Sequence, residues 1–201
     1  MNYKESTRVT YDIYAKDFQD QTSSYLEKYI LDDALRFLSL LGGPKILDIG
    51  SGPGRDSAFF KSKGYSPLCI DIAKEMIKIC QERGLASCLM DIESLGFQDN
   101  SFNGAWAYTS LLHMPKLNFP KTLEEIQRIL IPEGILYIGM KEGNTDQVID
   151  DAKYPGFKRY AALYGDEELR RILNSKFEIL ATSKVKLSHT YLNYLCKSFP
   201  K

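Results

Sequence analysis

Residues 46–56 read ILDIGSGPGRD, and this stretch restricts the chain to few architectures. Ile46, Leu47 and Ile49 make an apolar strand. It breaks at Gly50-Ser51-Gly52-Pro53-Gly54 and runs into Arg55–Phe60, the first turns of a helix. Three glycines in five positions permit positive φ and let backbone approach a ligand closely. A strand, a glycine loop and a helix start aim unpaired N–H groups and the positive dipole end at one point, which suits an anionic or polar ligand group. Alone, the loop is equally compatible with a tight βα turn that holds nothing.

The downstream spacing changes that balance. Asp71 ends the next apolar run, Ser66–Asp71, about 20 residues beyond the glycines. An acid at that strand tip is placed to accept hydrogen bonds from ribose hydroxyls. A dinucleotide fingerprint counted from Gly50 needs glycine at position 55, where Arg55 stands. That speaks against a nicotinamide-dependent oxidoreductase.

From 45 to 140 apolar strands alternate with helical patterns: a helix from Ala73 to Arg83, a strand over 86–90, a strand from Phe102 to Thr109, a helix over 120–131 and a strand ILYIGM. This rhythm predicts a mostly parallel sheet covered on both faces. Before it, Tyr11, Tyr14 and Phe18 sit at helical spacing within 3–20. Residues 23–41 predict a second helix with Leu26, Tyr29, Ile30, Ala34, Phe37, Leu38 and Leu41 on one face. After it, 141–165 departs from the rhythm and predicts a long loop or lid. Asp166 then opens a helix to Asn174, and 177–186 with 189–198 alternate as an antiparallel edge hairpin.

These ordered motifs resemble the class I S-adenosylmethionine (SAM)-dependent methyltransferases, and more narrowly small bacterial-type members with an LDxGxGxGRD first motif. The resemblance implies an α/β, Rossmann-like, doubly wound sheet of seven strands, mostly parallel, with an antiparallel C-terminal edge hairpin. It implies one domain over 1–201, with a helical cap over 1–43 and a substrate lid over 141–165. It implies SAM as cofactor. The main chain of Gly50, Ser51, Gly52 and Gly54 would cradle the amino-acid part of SAM. Arg55 would pair with its carboxylate or make a surface contact. Asp71 would hold the ribose and Asp91 the adenine, with Ile72 and Ile92 flanking the base. Tyr11 or Tyr14 would border the methionine end, and Thr109 lies at the strand end facing it. Asp48 would order the loop or a bound water, and Asn103 replaces a frequent Asp in a structural role. Arg159-Tyr160 matches an RY dipeptide in the family's corresponding loop.

The same class needs no catalytic triad, because the sulfonium already activates the methyl group. His113, Tyr160 and Arg159 are the polar candidates nearest the acceptor, His113 as a base. Acidic and basic residues number 26 each, so no general attraction to nucleic acid or an acidic membrane surface follows. The expected partner is a small-molecule methyl acceptor, with no nucleic acid and no membrane, as monomer or dimer. Methylation of protein or nucleic acid, and SAM binding without catalysis, stand as alternatives. The four cysteines, at 69, 80, 88 and 196, form no CxxC pair and predict buried free thiols rather than a metal site or disulfides. With no apolar signal core in MNYKESTRVTYD, the expected compartment is the cytoplasm.

Overall fold

The computed structural model describes residues 2–200. Met1 and Lys201, the ends of the expected 1–201 domain, lie outside the described residues. The sheet is built from β1 (Lys45–Ile49), β2 (Ser66–Asp71), β3 (Ala86–Leu89), β4 (Phe102–Tyr108), β5 (Leu130–Lys141), β8 (Phe177–Lys186) and β9 (Thr190–Ser198). Its order is β3-β2-β1-β4-β5-β9-β8. The five strands from β3 to β5 are parallel, whereas β9 runs antiparallel to β5 and to β8. This is the expected Rossmann-like sheet with its antiparallel hairpin. The chain reverses its direction of winding between β1 and β4, where an open α/β sheet forms its ligand crevice.

Successive residues of a strand face opposite sides. Leu47, Ile49, Ala105, Ala107, Leu136 and Ile138 pack one way, against Leu123, Ile126 and Ile129 of α6 (Phe119–Ile129) and Leu169 and Leu173 of α7 (Asp166–Leu173). Ile46, Trp106, Ile135 and Tyr137 pack the other way, against Ala34, Phe37 and Leu38 of α3 (Leu31–Ser39) and Phe60 of α4 (Arg55–Ser62). Burial on both faces explains why these strands read as continuous apolar runs. α5 (Lys74–Glu82) joins β2 to β3 and buries Met76, Ile77 and Cys80. Asn103 is structural, its Oδ1 accepting the Lys45 backbone N–H at 3.0 Å.

Several boundaries differ from the sequence reading. The helix expected within 3–20 is two helices, α1 (Tyr3–Ile13) and α2 (Ala15–Thr22), broken at Tyr14 where φ is −104°. The helix expected over 23–41 begins as a π turn over Leu26–Ile30 before α3, and this rotation leaves Tyr29 exposed instead of inward. Leu130 begins β5 rather than ending α6. The segment 141–165 is not an irregular loop. It carries an antiparallel hairpin of β6 (Thr145–Asp150) and β7 (Lys158–Leu163), a separate two-stranded sheet. No helix among the described residues is long and apolar enough to cross a membrane.

Candidate functional site

Gly50, Gly52 and Gly54 all adopt left-handed backbone, with φ of 65°, 53° and 73°. At Gly50 this is compounded by packing, since a Cβ there would lie 2.4 Å from the Ser110 Cβ. The loop so formed stands over the C-terminal ends of β1 and β2. Asp71 reaches across from β2, and its carboxylate accepts the N–H groups of Gly52 at 3.0 Å and Ala73 at 2.9 Å. Burial raises the Asp71 pKa to about 6, against the pull of these backbone donors. Behind the loop, Asp48 accepts from Ser57 Oγ at 2.7 Å, and burial pushes its carboxyl well above the usual range. Asp48 thus ties β1 to the first turn of α4.

Arg55 is not a surface residue. Its Nε and Nη2 grip Asp56 at 2.5 and 2.9 Å, and its guanidinium lies 5.3 Å from the Tyr25 ring and 5.9 Å from that of Tyr108. Asp56 also accepts from Trp106 Nε1 at 2.8 Å. The sequence offered no sign of this buried Arg-Asp-Trp cluster beyond the RD dipeptide.

Two cavities meet here. The first is walled by the glycine loop, Asp48, Asp71, Ile72, Asp91, Ile92, Thr109 and Ser110. Residues of α1 close it: Lys4 Nζ pairs with Asp91 at 2.6 Å and Glu93 at 2.7 Å, and Tyr3 donates to Glu93 at 2.7 Å. The second cavity, about 250 Å³, lies on the far side of Tyr11, Thr109 and His113, which border both. Its outer wall is the β6–β7 hairpin. That hairpin is held to α1 by Thr10 Oγ1 donating to the Lys158 carbonyl and by the Tyr160 N–H donating to Thr7 Oγ1, each at 3.0 Å.

The sequence-predicted residues divide between these spaces. Gly50, Ser51, Gly52, Arg55, Asp71, Ile72, Asp91, Ile92 and Thr109 line the first cavity; Gly54 lies beneath it, as the left-handed cap of α4. Tyr14 is a correction. It lines neither cavity, because the break between α1 and α2 turns it away to stack on Tyr154 of the hairpin at 3.8 Å. Tyr11 takes the position at the junction instead. His113, Tyr160 and Arg159 border the second cavity, but Tyr160 is a correction: its hydroxyl donates at 2.9 Å to Asp146, which lines neither cavity, and only its carbonyl meets His113.

His113 sits on a single 3₁₀ turn, Leu111–His113, directly after β4. Its Nδ1 is 2.7 Å from the Tyr160 carbonyl, which only accepts, so Nδ1 carries the proton. Nε2 then accepts from the Tyr11 hydroxyl at 2.8 Å, and Tyr11 in turn accepts from Arg159 Nη1 at 2.7 Å. Burial, and next the Arg159 charge, lower the His113 pKa to about 3. The ring is therefore neutral, and its lone pair is engaged. Arg159 also pairs with Asp151, which is buried. Thr109 has φ of 56°, a conformation unfavourable for a β-branched residue and one that clusters at functional sites.

The residues present fit SAM on two structural grounds. A cradle of left-handed glycine backbone faces a carboxylate at a second strand tip, and Ser110 Oγ is buried in the same wall with no hydrogen-bond partner. Fold and site together resemble those of the class I SAM-dependent methyltransferases, and the residues present fit SAM as cofactor. The family model described as a methyltransferase domain matches residues 47–138, from β1 into β5. A malonyl-[acyl-carrier protein] O-methyltransferase of Erwinia pyrifoliae is 30% identical over 52% of this chain and 40% of its own length. The chain spans about two fifths of the length of the first such curated relatives. A SAM-dependent methyltransferase from Methanosarcina mazei superposes with a TM-score of 0.74 at 22% identity, covering 83% of this chain and 98% of that one. A 1,6-didemethyltoxoflavin N1-methyltransferase from Burkholderia thailandensis, solved with S-adenosylhomocysteine, gives 0.72 at 20% identity over 96% and 87%.

Proposed function

We propose that the protein transfers the methyl group of SAM to a small organic acceptor. The observation that carries this is the second cavity: it adjoins the cofactor pocket at Tyr11, Thr109 and His113 and is roofed by the β6–β7 hairpin. Its size is near the lower end of ligand pockets, about 300 Å³. A roofed space of that size suits a small molecule better than a segment of polymer. The structural neighbour named for methylation of didemethyltoxoflavin agrees with that class, whereas the relatives named for malonyl-[acyl-carrier protein] act on an acyl group carried by a protein. A relative named as a tRNA methyltransferase is matched over 24% of its length.

SAM supplies an activated methyl group. The chain's own contribution is to bind, orient and exclude water. In this reading the Gly50 main chain and Ser110 Oγ hold the amino-acid part, since the N–H groups of Ser51, Gly52 and Gly54 already donate to the Ile70 carbonyl, Asp71 and the Ser51 carbonyl. Asp71 accepts from the ribose hydroxyls through the second lone pair of each carboxylate oxygen. Asp91 accepts from the adenine amino group beside Lys4, with Ile72 and Ile92 against the ring. Arg55 anchors Asp56 and the tyrosines rather than the cofactor carboxylate. Tyr11 presents its oxygen at the junction, oriented by His113 and Arg159, and these three position the acceptor. His113 reaches an acceptor proton only through the Tyr11 hydroxyl.

The experiment is calorimetry with S-adenosylhomocysteine, followed by transfer of labelled methyl from SAM into small-molecule and macromolecular fractions of a cell extract. The reading expects binding, and label in the small-molecule fraction. Label confined to protein or RNA overturns the small acceptor, and absence of binding overturns the whole reading.

A further inference from the structure

The two cavities have opposite charge character. Five acids line the first, Asp48, Asp56, Asp71, Asp91 and Glu93, beside two cations, Lys4 and Arg55, that pair with three of them. No acid lines the second, which instead presents four cations, Arg55, Lys141, Lys153 and Arg159. Two of the four are neutralised from behind, Arg55 by Asp56 and Arg159 by Asp151. Lys153 is exposed, its ammonium 5.4 Å from the Tyr154 ring centre. Lys141 is different. It is the last residue of β5, half-buried, and takes part in no ion pair among the described residues, although Asp151 is near enough to act on its charge. Burial, and then the neighbouring Arg159 charge, lower its pKa, against a smaller opposing pull from Asp151.

The rest of the wall is aromatic. Six tyrosines line the cavity, and the rings of Tyr108 and Tyr191 lie near-parallel, 28° apart with centres 6.5 Å apart. Tyr191 pairs with Lys141 across β5 and β9, so cation and rings share one corner. A half-buried, unpaired cation beside flat apolar faces matches a ligand with one anionic end and a planar or apolar body.

Resting on the methyltransferase reading above, we propose that the acceptor is an organic acid whose carboxylate is bound by Lys141, with its body against Tyr108 and Tyr191. The carboxylate is a recognition handle that fixes which end of the acceptor faces the junction at Tyr11 and Thr109.

The test uses the full chain saturated with S-adenosylhomocysteine, at low ionic strength. Calorimetry and thermal shift compare matched pairs: benzoate with benzamide, phenylacetate with phenylacetamide, and hexanoate with hexanamide. At least one acid should bind ten-fold or more tightly than its amide. Lys141→Met should erase that preference while leaving S-adenosylhomocysteine affinity unchanged, and Lys141→Arg should restore it. Amides that bind as well as acids, acids unaffected by Lys141→Met, or no acid binding at all overturn the proposal while the cofactor reading stands. Failure of S-adenosylhomocysteine itself to bind removes the reading beneath it, and the proposal with it.

Discussion

The Tyr11 hydroxyl donates to His113 Nε2 at 2.8 Å, across the seam between the two cavities. This bond uses the lone pair that a histidine base would need. It also joins α1 to the turn after β4, so the N-terminal helices and the sheet share one half-buried polar chain. Removing the Tyr11 hydroxyl strands an imidazole acceptor and an Arg159 donor together. Tyr11→Phe is expected to lower stability by about 1–3 kcal/mol in urea unfolding. A change within about 0.5 kcal/mol would mean the bond is absent in solution.

His113 also sets an acid limit. Its folded pKa of about 3 lies below the ordinary value near 6.5. The unfolded chain therefore binds the extra proton between those values, and the stabilisation, complete above pH 6.5, is lost as pH falls towards 3. Asp71, raised to about 6, acts oppositely between pH 3.8 and 6, so the two offset each other there. The difference between wild-type and His113→Asn unfolding curves isolates the histidine. It should grow with pH by up to about 1.4 kcal/mol per unit between pH 3 and 6.5. A flat difference rejects the neutral ring.

Asp71 predicts how binding responds to pH. Hydroxyl donors from a ribose favour the ionised carboxylate, and the free protein protonates it below about 6. S-adenosylhomocysteine affinity should be level above pH 6.5 and fall by up to about ten-fold per unit below pH 6. Asp71→Ala should weaken binding at pH 7.5 by about 1.5–3 kcal/mol, roughly 10- to 150-fold, and remove the pH response. Calorimetry across pH on both proteins decides it, and an unchanged pH response in the variant places the titrating group elsewhere.

The glycines of the loop should separate by cause. Gly50→Ala meets both left-handed backbone and the Ser110 side chain at 2.4 Å, whereas at Gly52 the nearest atom is Phe18 Cε1 at 3.6 Å. Gly52→Ala should cost about 1–2 kcal/mol from backbone strain alone, and Gly50→Ala distinctly more. Equal thermal shifts for the two variants would show that the Gly50–Ser110 approach is not tight in solution.

Asp56 supports two donors, the half-buried Arg55 guanidinium and the buried Trp106 Nε1. Asp56→Ala leaves the cation without its partner and should cost about 3–5 kcal/mol, or a melting-point drop of roughly 6–20 °C. Asp56→Asn, which keeps an acceptor for the indole, should cost less. If scanning calorimetry ranks them the other way, the charge is not what the cluster needs.

Much of this architecture could be read from the chain, because the parallel strands are buried on both sides and so announce themselves as apolar runs between helices. The glycine loop and Asp71 were legible for the same local reason: special backbone demands special residues at fixed spacing. What escaped was tertiary. Tyr14 and Tyr11 look alike in a helical pattern, and only the break at Tyr14 decides which one faces the crevice. The segment 141–165 reads as a loop because its strands pair only with each other and bury little on one side. Lys141 carries no motif at all. Its significance comes from the lack of a partner, which a sequence does not display.

The place of β9 between β5 and β8 has a consequence for synthesis. A ribosome that has released residues as far as 186 has supplied six of the seven strands, yet β8 then has no neighbour to join and β5 shows a bare edge. The sheet closes only when residues 190–198 slot into the gap. Until then the nascent domain presents sticky main chain on two strands, and its protection in the cell rests on how fast that short segment emerges.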